Sequence, residues 1–225
     1  MYSKSTKRII ATLWFLVVML GILYAPRAAW ATDIDGTDKW AWSTNAGWLN
    51  FKDANGGVRV YADHLEGYVW AENIGWIRLG AYTGGGAHVY ENTTTTNYGV
   101  NRDTATGQLS GYGWATNTGR IKFDDTNGGG VFIDLITGDF SGYVWAENVG
   151  WIKLKGTAID LTAYKVKMGN GALTVTDGTG GGGYLPGTVV NIAANVAPEN
   201  QVFEKWTGDT ANIANINLPN TTIIL

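Results

Sequence analysis

Trp70-Ala71-Glu72-Asn73-Ile74-Gly75-Trp76-Ile77-Arg78-Leu79 is one of four versions of a single phrase. The others are Trp42-Ser-Thr-Asn-Ala-Gly-Trp48-Leu-Asn-Phe51, Trp114-Ala-Thr-Asn-Thr-Gly-Arg120-Ile-Lys-Phe123 and Trp145-Ala-Glu-Asn-Val-Gly-Trp151-Ile-Lys-Leu154. Self-similarity of this kind marks an architecture built from one repeated unit. In each copy an Asn (Asn45, Asn73, Asn117, Asn148) stands two residues before a Gly (Gly47, Gly75, Gly119, Gly150), which is hairpin-loop chemistry: a turn former, then a residue able to take positive φ. The last three copies follow Gly-Tyr-x-Trp and, further upstream, a Gly-Val strand at Val58, Val100 or Val131. A full unit is thus strand, turn, strand, turn, strand over about 24 residues.

The copies are also paired. Phe51-Lys-Asp-Ala-Asn-Gly-Gly-Val58 joins the first to the second, and Phe123-Asp-Asp-Thr-Asn-Gly-Gly-Gly-Val131 joins the third to the fourth. A longer Gly- and Thr-rich connection, Gly80 to Tyr98, separates the pairs. The expectation is an all-β domain of antiparallel strands over residues 32–156, with copies near 38–52, 57–79, 99–123 and 130–154. Barrel, sandwich and open meander all remain compatible with connections of these lengths.

Strand alternation sorts the faces after each turn. Leu49 and Phe51, Ile77 and Leu79, Ile121 and Phe123, and Ile152 and Leu154 form one face, read as core. Trp48 and Asn50, Trp76 and Arg78, Arg120 and Lys122, and Trp151 and Lys153 form the other, read as wet, since a buried tryptophan slot would not accept Arg120. If the repeats bind a ligand, Trp48, Trp76 and Trp151, with Arg78, Arg120, Lys122 and Lys153, are its platform, flat rings open to a sugar or to a partner's apolar patch. The alternative is that these rings simply cover their own sheet. Trp42, Trp70, Trp114 and Trp145 occur in all four copies and read as packing anchors, with the Asn and Gly of each turn as architecture.

The first residues carry Lys4, Lys7 and Arg8, an apolar run of fifteen residues from Ile9 to Leu23, and Ala29-Trp30-Ala31. That is the pattern of a secretory signal peptide over residues 1–31, too short for a span of about 20 residues. Loss of Lys4, Lys7, Arg8 and Arg27, and of no acid, takes the formal charge from −3 to −7. An acidic chain without a basic cluster does not suit nucleic acid or an anionic membrane. The chain has no cysteine, so packing alone must hold it in an oxidising compartment.

Past Lys155 the vocabulary changes to Leu173-Thr-Val-Thr, a Gly-rich loop closing on Tyr184, Gly187-Thr-Val-Val-Asn-Ile-Ala-Ala194 and Phe203-Glu-Lys-Trp206-Thr-Gly. In that order these segments resemble the divergent internalin-type B-repeat (the Listeria–Bacteroides-type repeat) of bacterial surface proteins, over roughly a quarter of the chain from Ala163 to Leu225. The resemblance implies a small β-grasp-like spacer or interaction module over residues 157–225, without known catalysis. The family pattern runs on through a further strand where this chain stops at Ile223-Ile224-Leu225, so the last module is expected to be incomplete. The four N-terminal copies resemble Gly-Tyr-x-Trp-Ala-x-Asn-x-Gly-Trp-Ile repeats of secreted bacterial proteins, which imply no defined activity. Leu218-Pro219-Asn220-Thr221-Thr222 reads as a loop entering a strand rather than a sorting signal, because neither an apolar anchor nor a basic tail follows.

No residue set reads as a catalytic centre. His64 and His88 lie in separate segments without metal-ligand spacing. Asp33-Ile-Asp35-Gly-Thr-Asp38 begins like a calcium loop but lacks the distal Glu, so it reads as linker. Gly84–Gly86 and Gly180–Gly183 lack the Lys-Ser/Thr of a phosphate loop, and no Gly-x-Ser-x-Gly occurs. Glu72 and Glu147 become Thr44 and Thr116 in the other copies and do not make an acid pair. The expectation is a non-enzymatic secreted or cell-surface structural or adhesive repeat protein with neither cofactor nor metal. The alternative is an extracellular glycan-binding module using the exposed tryptophans. Its partners would be a surface glycan or another envelope protein.

Overall fold

The computed structural model describes residues 31–124, 127, 129–158 and 162–225. The expected signal peptide, apart from Ala31, lies outside them. The described residues form strands and turns without an α-helix, so the chain is all-β and its pairings are antiparallel.

The strands of the first part are β1 (Thr32–Ser43), β2 (Gly47–Asn50), β3 (Lys52–Asp53), β4 (Gly56–Val60), β5 (Leu65–Ala71), β6 (Gly75–Arg78) and β7 (Val100–Arg102). They continue as β8 (Gln108–Ala115), β9 (Gly119–Lys122), β10 (Val131–Ile133), β11 (Phe140–Ala146), β12 (Gly150–Lys153), β13 (Lys155–Thr157) and β14 (Ala163–Met168). Each repeated phrase is one hairpin: β1–β2, β5–β6, β8–β9 and β11–β12. Neighbouring hairpins pair through β2–β5, β6–β8 and β9–β11, and β12 returns to β1 through Trp42 and Lys153. The eight strands close on themselves. Of the three arrangements open to the sequence, the structure adopts the barrel, which leaves this part of the sheet without free edges.

Below the hairpins the four long strands β1, β5, β8 and β11 run on, and a second set of short strands fills the gaps between them. β4 lies between β1 and β5, β10 between β8 and β11, and β7 pairs with β8. β14 pairs with β1. Bridges His64–Asn101 and Asp139–Lys167 complete this second ring. Alternate staves of the barrel are thus long strands, and those between are spliced from two pieces. The splice is direct: the Phe51 carbonyl accepts from the Val58 amide (3.0 Å), Leu79 from Val100 (2.9 Å), and Leu154 from Val166 (3.0 Å). Between the first two pieces, residues 51–58, the chain makes an excursion in which β3 pairs with β4.

Ala163–Met168, assigned by the sequence reading to the second module, is therefore a stave of the barrel, and Tyr164, Val166 and Met168 are buried. Asp33–Asp38, read as linker, lies within β1; Asp35 Oδ1 accepts from the amides of Thr37 and Asp38 (2.8 and 2.9 Å).

The interior is filled with side chains, as a barrel of eight strands requires. The eight residues assigned to the core face, Leu49 through Leu154, are each 2% exposed or less. At the hairpin end the bore narrows onto Ala41, Ala71, Ala115 and Ala146, all fully buried. It is then closed by Ala46, Ile74, Thr118 and Val149, the residues between Asn and Gly in each turn, all buried. The Gly of Gly-Tyr-x-Trp marks where a long strand passes from one ring to the other. Gly67, Gly111 and Gly142 have φ of 96°, 83° and 94°, and an added Cβ would meet the carbonyls of Gly57, Gly99 and Gly130 at 2.0, 2.3 and 2.0 Å.

The second part contains β15 (Gly171–Leu173), β16 (Gly178–Thr179), β17 (Gly182–Tyr184), β18 (Val189–Ala194) and β19 (Asn220–Ile224). β15 pairs with β17, and β16–β18–β19 form a three-stranded sheet. Val190, Ile192 and Ile223 make a small separate core, flanked by Leu173, Tyr184 and Trp206. The Trp206 indole donates to the Leu218 carbonyl (2.9 Å). Pro219 directly precedes β19, so this segment is a loop entering a strand.

Candidate functional site

The turn residues act on one another around the closed end of the barrel. The Asn45 amide donates to Val149 O (2.8 Å), Asn73 to Asn45 O (3.1 Å) and Asn117 to Ile74 O (3.1 Å), each reaching a neighbouring hairpin. Asn148 holds the corresponding position in the fourth loop. Gly47, Gly75, Gly119 and Gly150 have φ between 73° and 85°. Glu72 joins two loops, its Oε2 accepting from the Trp48 amide at 3.0 Å.

Outside, both sets of tryptophans share one face. Trp42 stands opposite Trp48, Trp70 opposite Trp76, Trp114 opposite Arg120 and Trp145 opposite Trp151. Trp42, Trp70, Trp114 and Trp145, expected to be packing anchors, thus lie on the outer face beside the second set. Trp70 and Trp114 are 38% and 45% exposed, because the adjacent alanines point into the narrow bore and alternation sends the rings outward. Recurrence in all four copies reflected a shared outer environment. Asn50 departs from the wet reading in the other direction. It is buried, its Oδ1 accepting from the Lys52 amide (3.0 Å) and its Nδ2 donating to Asp53 (3.3 Å), so that it fastens the first excursion.

Each hairpin gathers a cluster of rings. Tyr68 and Trp70 meet Trp76 at 6.2 and 5.0 Å between centroids, and Tyr143 and Trp145 meet Trp151 at 6.2 and 4.8 Å, all edge to face. In the third hairpin the Arg120 guanidinium takes the ring's place, 4.7 Å from the centre of Tyr112. Lys153 lies 5.6 Å from the centre of Tyr143. Across the seams Arg78 pairs with Trp114, Lys122 with Trp145, and Lys153 with Trp42. The result is a belt of aromatics and cations around the barrel. Trp48, Trp76 and Trp151 belong to three different hairpins of a closed ring, so the structure does not bring them together as one flat platform.

Trp40, which the sequence reading passed over, sits two residues before Trp42 and shares its face. Its ring meets Trp48 at 6.3 Å, and Trp48 meets Tyr164 of β14 at 5.4 Å with the planes perpendicular. These rings line a groove of about 340 Å³ with Glu72, Thr162 and Lys165. Lys165 is tied to Asp38 (3.3 Å) and Asp139 (3.1 Å), and Asp139 also receives Lys155 at 2.7 Å.

A second cluster joins residues that the sequence reading kept apart. His64 is fully buried, with Nδ1 2.7 Å from Asp63 Oδ1 and Nε2 3.1 Å from Glu66 Oε1. It stacks on Tyr61 at 4.5 Å, and the His88 ring lies 5.7 Å away. Glu66 Oε1 also accepts from the Gly85 amide (3.0 Å) and Asp63 Oδ2 from the His88 amide (3.0 Å). The cluster thus pins the long 80–98 connection to the barrel. Burial, and then the nearby Glu66 carboxylate, push the Tyr90 hydroxyl above its ordinary value. Among the described residues no group of three or more His, Cys, Asp or Glu is arranged to hold a metal ion. No family model matches the chain, and no curated protein or solved structure does either.

Proposed function

We propose that this chain is a non-enzymatic surface protein of structural and adhesive role, exported by its first 31 residues. The barrel is its rigid head and the C-terminal module its spacer or docking unit. The observation that carries this reading is the division of labour within the repeat. Inward residues fill and plug the bore, turn residues tie the loops together, and what is left over for a partner is an outer belt of aromatic and cationic side chains. Rigid aromatics offer contact area at low conformational cost, which suits adhesion to a glycan or to another envelope protein.

The test is retention of the purified chain on bacterial envelopes and on a panel of insoluble polysaccharides. Retention without release of reducing ends supports the reading. Release of reducing ends makes the protein an enzyme, and no retention on any surface removes the adhesive role.

A further inference from the structure

The geometry points to the groove between the first hairpin and β14 as a binding site for a neutral sugar unit, with Trp40 and Trp48 as its stacking surfaces and Glu72 as its hydrogen-bond acceptor. It deepens the adhesive reading and rests on it. The barrel's near four-fold repetition does not extend to this spot. Only the first hairpin carries Trp40 where the others carry Tyr68, Tyr112 and Tyr143, and only here does β14 present Tyr164 against the second tryptophan.

The groove measures about 340 Å³, at the small end of ligand-binding clefts, about 300–1,000 Å³. Trp40 is 36% exposed, and the planes of Trp40 and Tyr164 stand at 77° and 90° to Trp48. Such an angled pair of walls suits a ring that offers C–H groups on one face and hydroxyls at its rim.

The polar lining decides the class. Perpendicular aromatic rings near carboxylates also describe a cage for an organic cation. Here, however, Lys39 already places its ammonium 5.3 Å from the centre of the Trp40 ring, which opposes a second cation there. An anionic sugar fares no better. Lys165 is neutralised by Asp38 and Asp139, which leaves the Glu72 carboxylate facing the ligand. A neutral polyol uses the carboxylate as acceptor, Lys165 as donor, and the aromatic faces for stacking.

The experiment titrates the full chain with cellohexaose, xylohexaose, mannohexaose and chitohexaose, and with hexagalacturonate as the anionic probe, followed by calorimetry and tryptophan fluorescence. At least one neutral oligosaccharide is expected to bind with Kd of about 0.1–1 mM, a range common to shallow sites. Trp40→Ala and Glu72→Gln are each expected to weaken it at least tenfold, while Ile136→Ala, an exposed side chain outside both groove and belt, leaves it unchanged. Glu72→Gln keeps an acceptor for the Trp48 amide, so its loss of binding does not report misfolding. The inference is overturned if no neutral probe binds up to about 10 mM, if hexagalacturonate binds best, or if the groove variants bind like the parent. Retention on envelopes that survives Trp40→Ala removes this site and leaves the adhesive reading standing. Oligosaccharide binding by a chain that no envelope retains does the reverse.

Discussion

Trp70 and Trp76 face one another across the second hairpin, ring centroids 5.0 Å apart and planes at 65°, and both lie on the outside of the barrel. The residues beside them, Val69, Ala71 and Ile77, point into the bore and are 2% exposed or less. An edge-to-face pair contributes about 0.5–1.5 kcal/mol beyond its buried area, whereas a core Ile→Ala change costs about 2–5 kcal/mol. Trp70→Ala is therefore expected to lower stability by about 1–2 kcal/mol and Ile77→Ala by about 3–4 kcal/mol. Denaturant titration checks the order. Equal losses would mean that the Trp70 ring is a buried anchor after all.

The glycines of the repeat divide into two kinds. Gly75 has a φ of 80° with nothing within 4 Å of an added Cβ, while Gly142 has a φ of 94° and an added Cβ 2.0 Å from Gly130 O. Gly75→Ala carries only the left-handed conformational cost, about 1 kcal/mol. Gly142→Ala must also push two strands apart at the point where the long strand changes rings, and about 3 kcal/mol or more is expected. Thermal melting should show a drop of about 2–4 °C for the first and several times that for the second. Similar drops would argue against a close approach at the ring junction.

Acid and base limbs of stability should both trace to Asp139. Burial alone would raise its carboxyl, but Lys155 and Lys165 outweigh burial and hold it below the ordinary carboxylate value. Hydrogen bonding to Asp139, and then to Asp38, raises the Lys165 ammonium. A depressed carboxylate contributes stability above its unfolded value near pH 4, lost as pH falls through the folded one. A raised ammonium contributes below its unfolded value near pH 10.4, lost as pH rises through the folded one. Asp139→Asn should therefore flatten the melting-temperature profile at both ends. It leaves some of the acid limb, because the Thr106 hydroxyl and then backbone amides hold Asp103 low, and backbone amides of its own loop hold Asp134 low. An unchanged profile would show that the Asp139 contacts do not persist in solution.

The sequence made the all-β class legible because period-two alternation survives in every copy: Leu49, Ile77, Ile121 and Ile152 each sit two residues from a second core residue. Closure was not legible, since it depends on Lys153 reaching Trp42 across more than a hundred residues. Nor was the role of β14, whose Tyr-Lys-Val-Lys-Met alternation has no counterpart in the repeated phrase. The shared outer face of the two tryptophan sets has a physical reason. A three-residue turn places Trp70 and Trp76 directly opposite each other, so both must share one face, and recurrence alone does not distinguish an inner environment from an outer one. Trp40 was available from its i, i+2 relation to Trp42. The His64–His88 contact was not, because no local pattern folds the 80–98 connection back.

Glu66 is the residue on which that connection depends. One carboxylate oxygen faces His64 Nε2 and accepts from the Gly85 amide, and Asp63 holds the His88 amide from the other side of the same imidazole. Glu66→Ala removes the first anchor and leaves a buried ring nitrogen and an amide without it, at a cost of about 1–3 kcal/mol for each group. The connection crosses the outside of a barrel whose hairpin ring does not include it, so the loss should be local. Amide hydrogen exchange is expected to quicken at least tenfold at Gly85 and His88, and thermolysin to cut within 80–98, while the amides of Val69 and Ile77 keep their protection. Uniform acceleration across the barrel would show that the connection is part of the cooperative core, and unchanged exchange at Gly85 would show that Glu66 does not hold it.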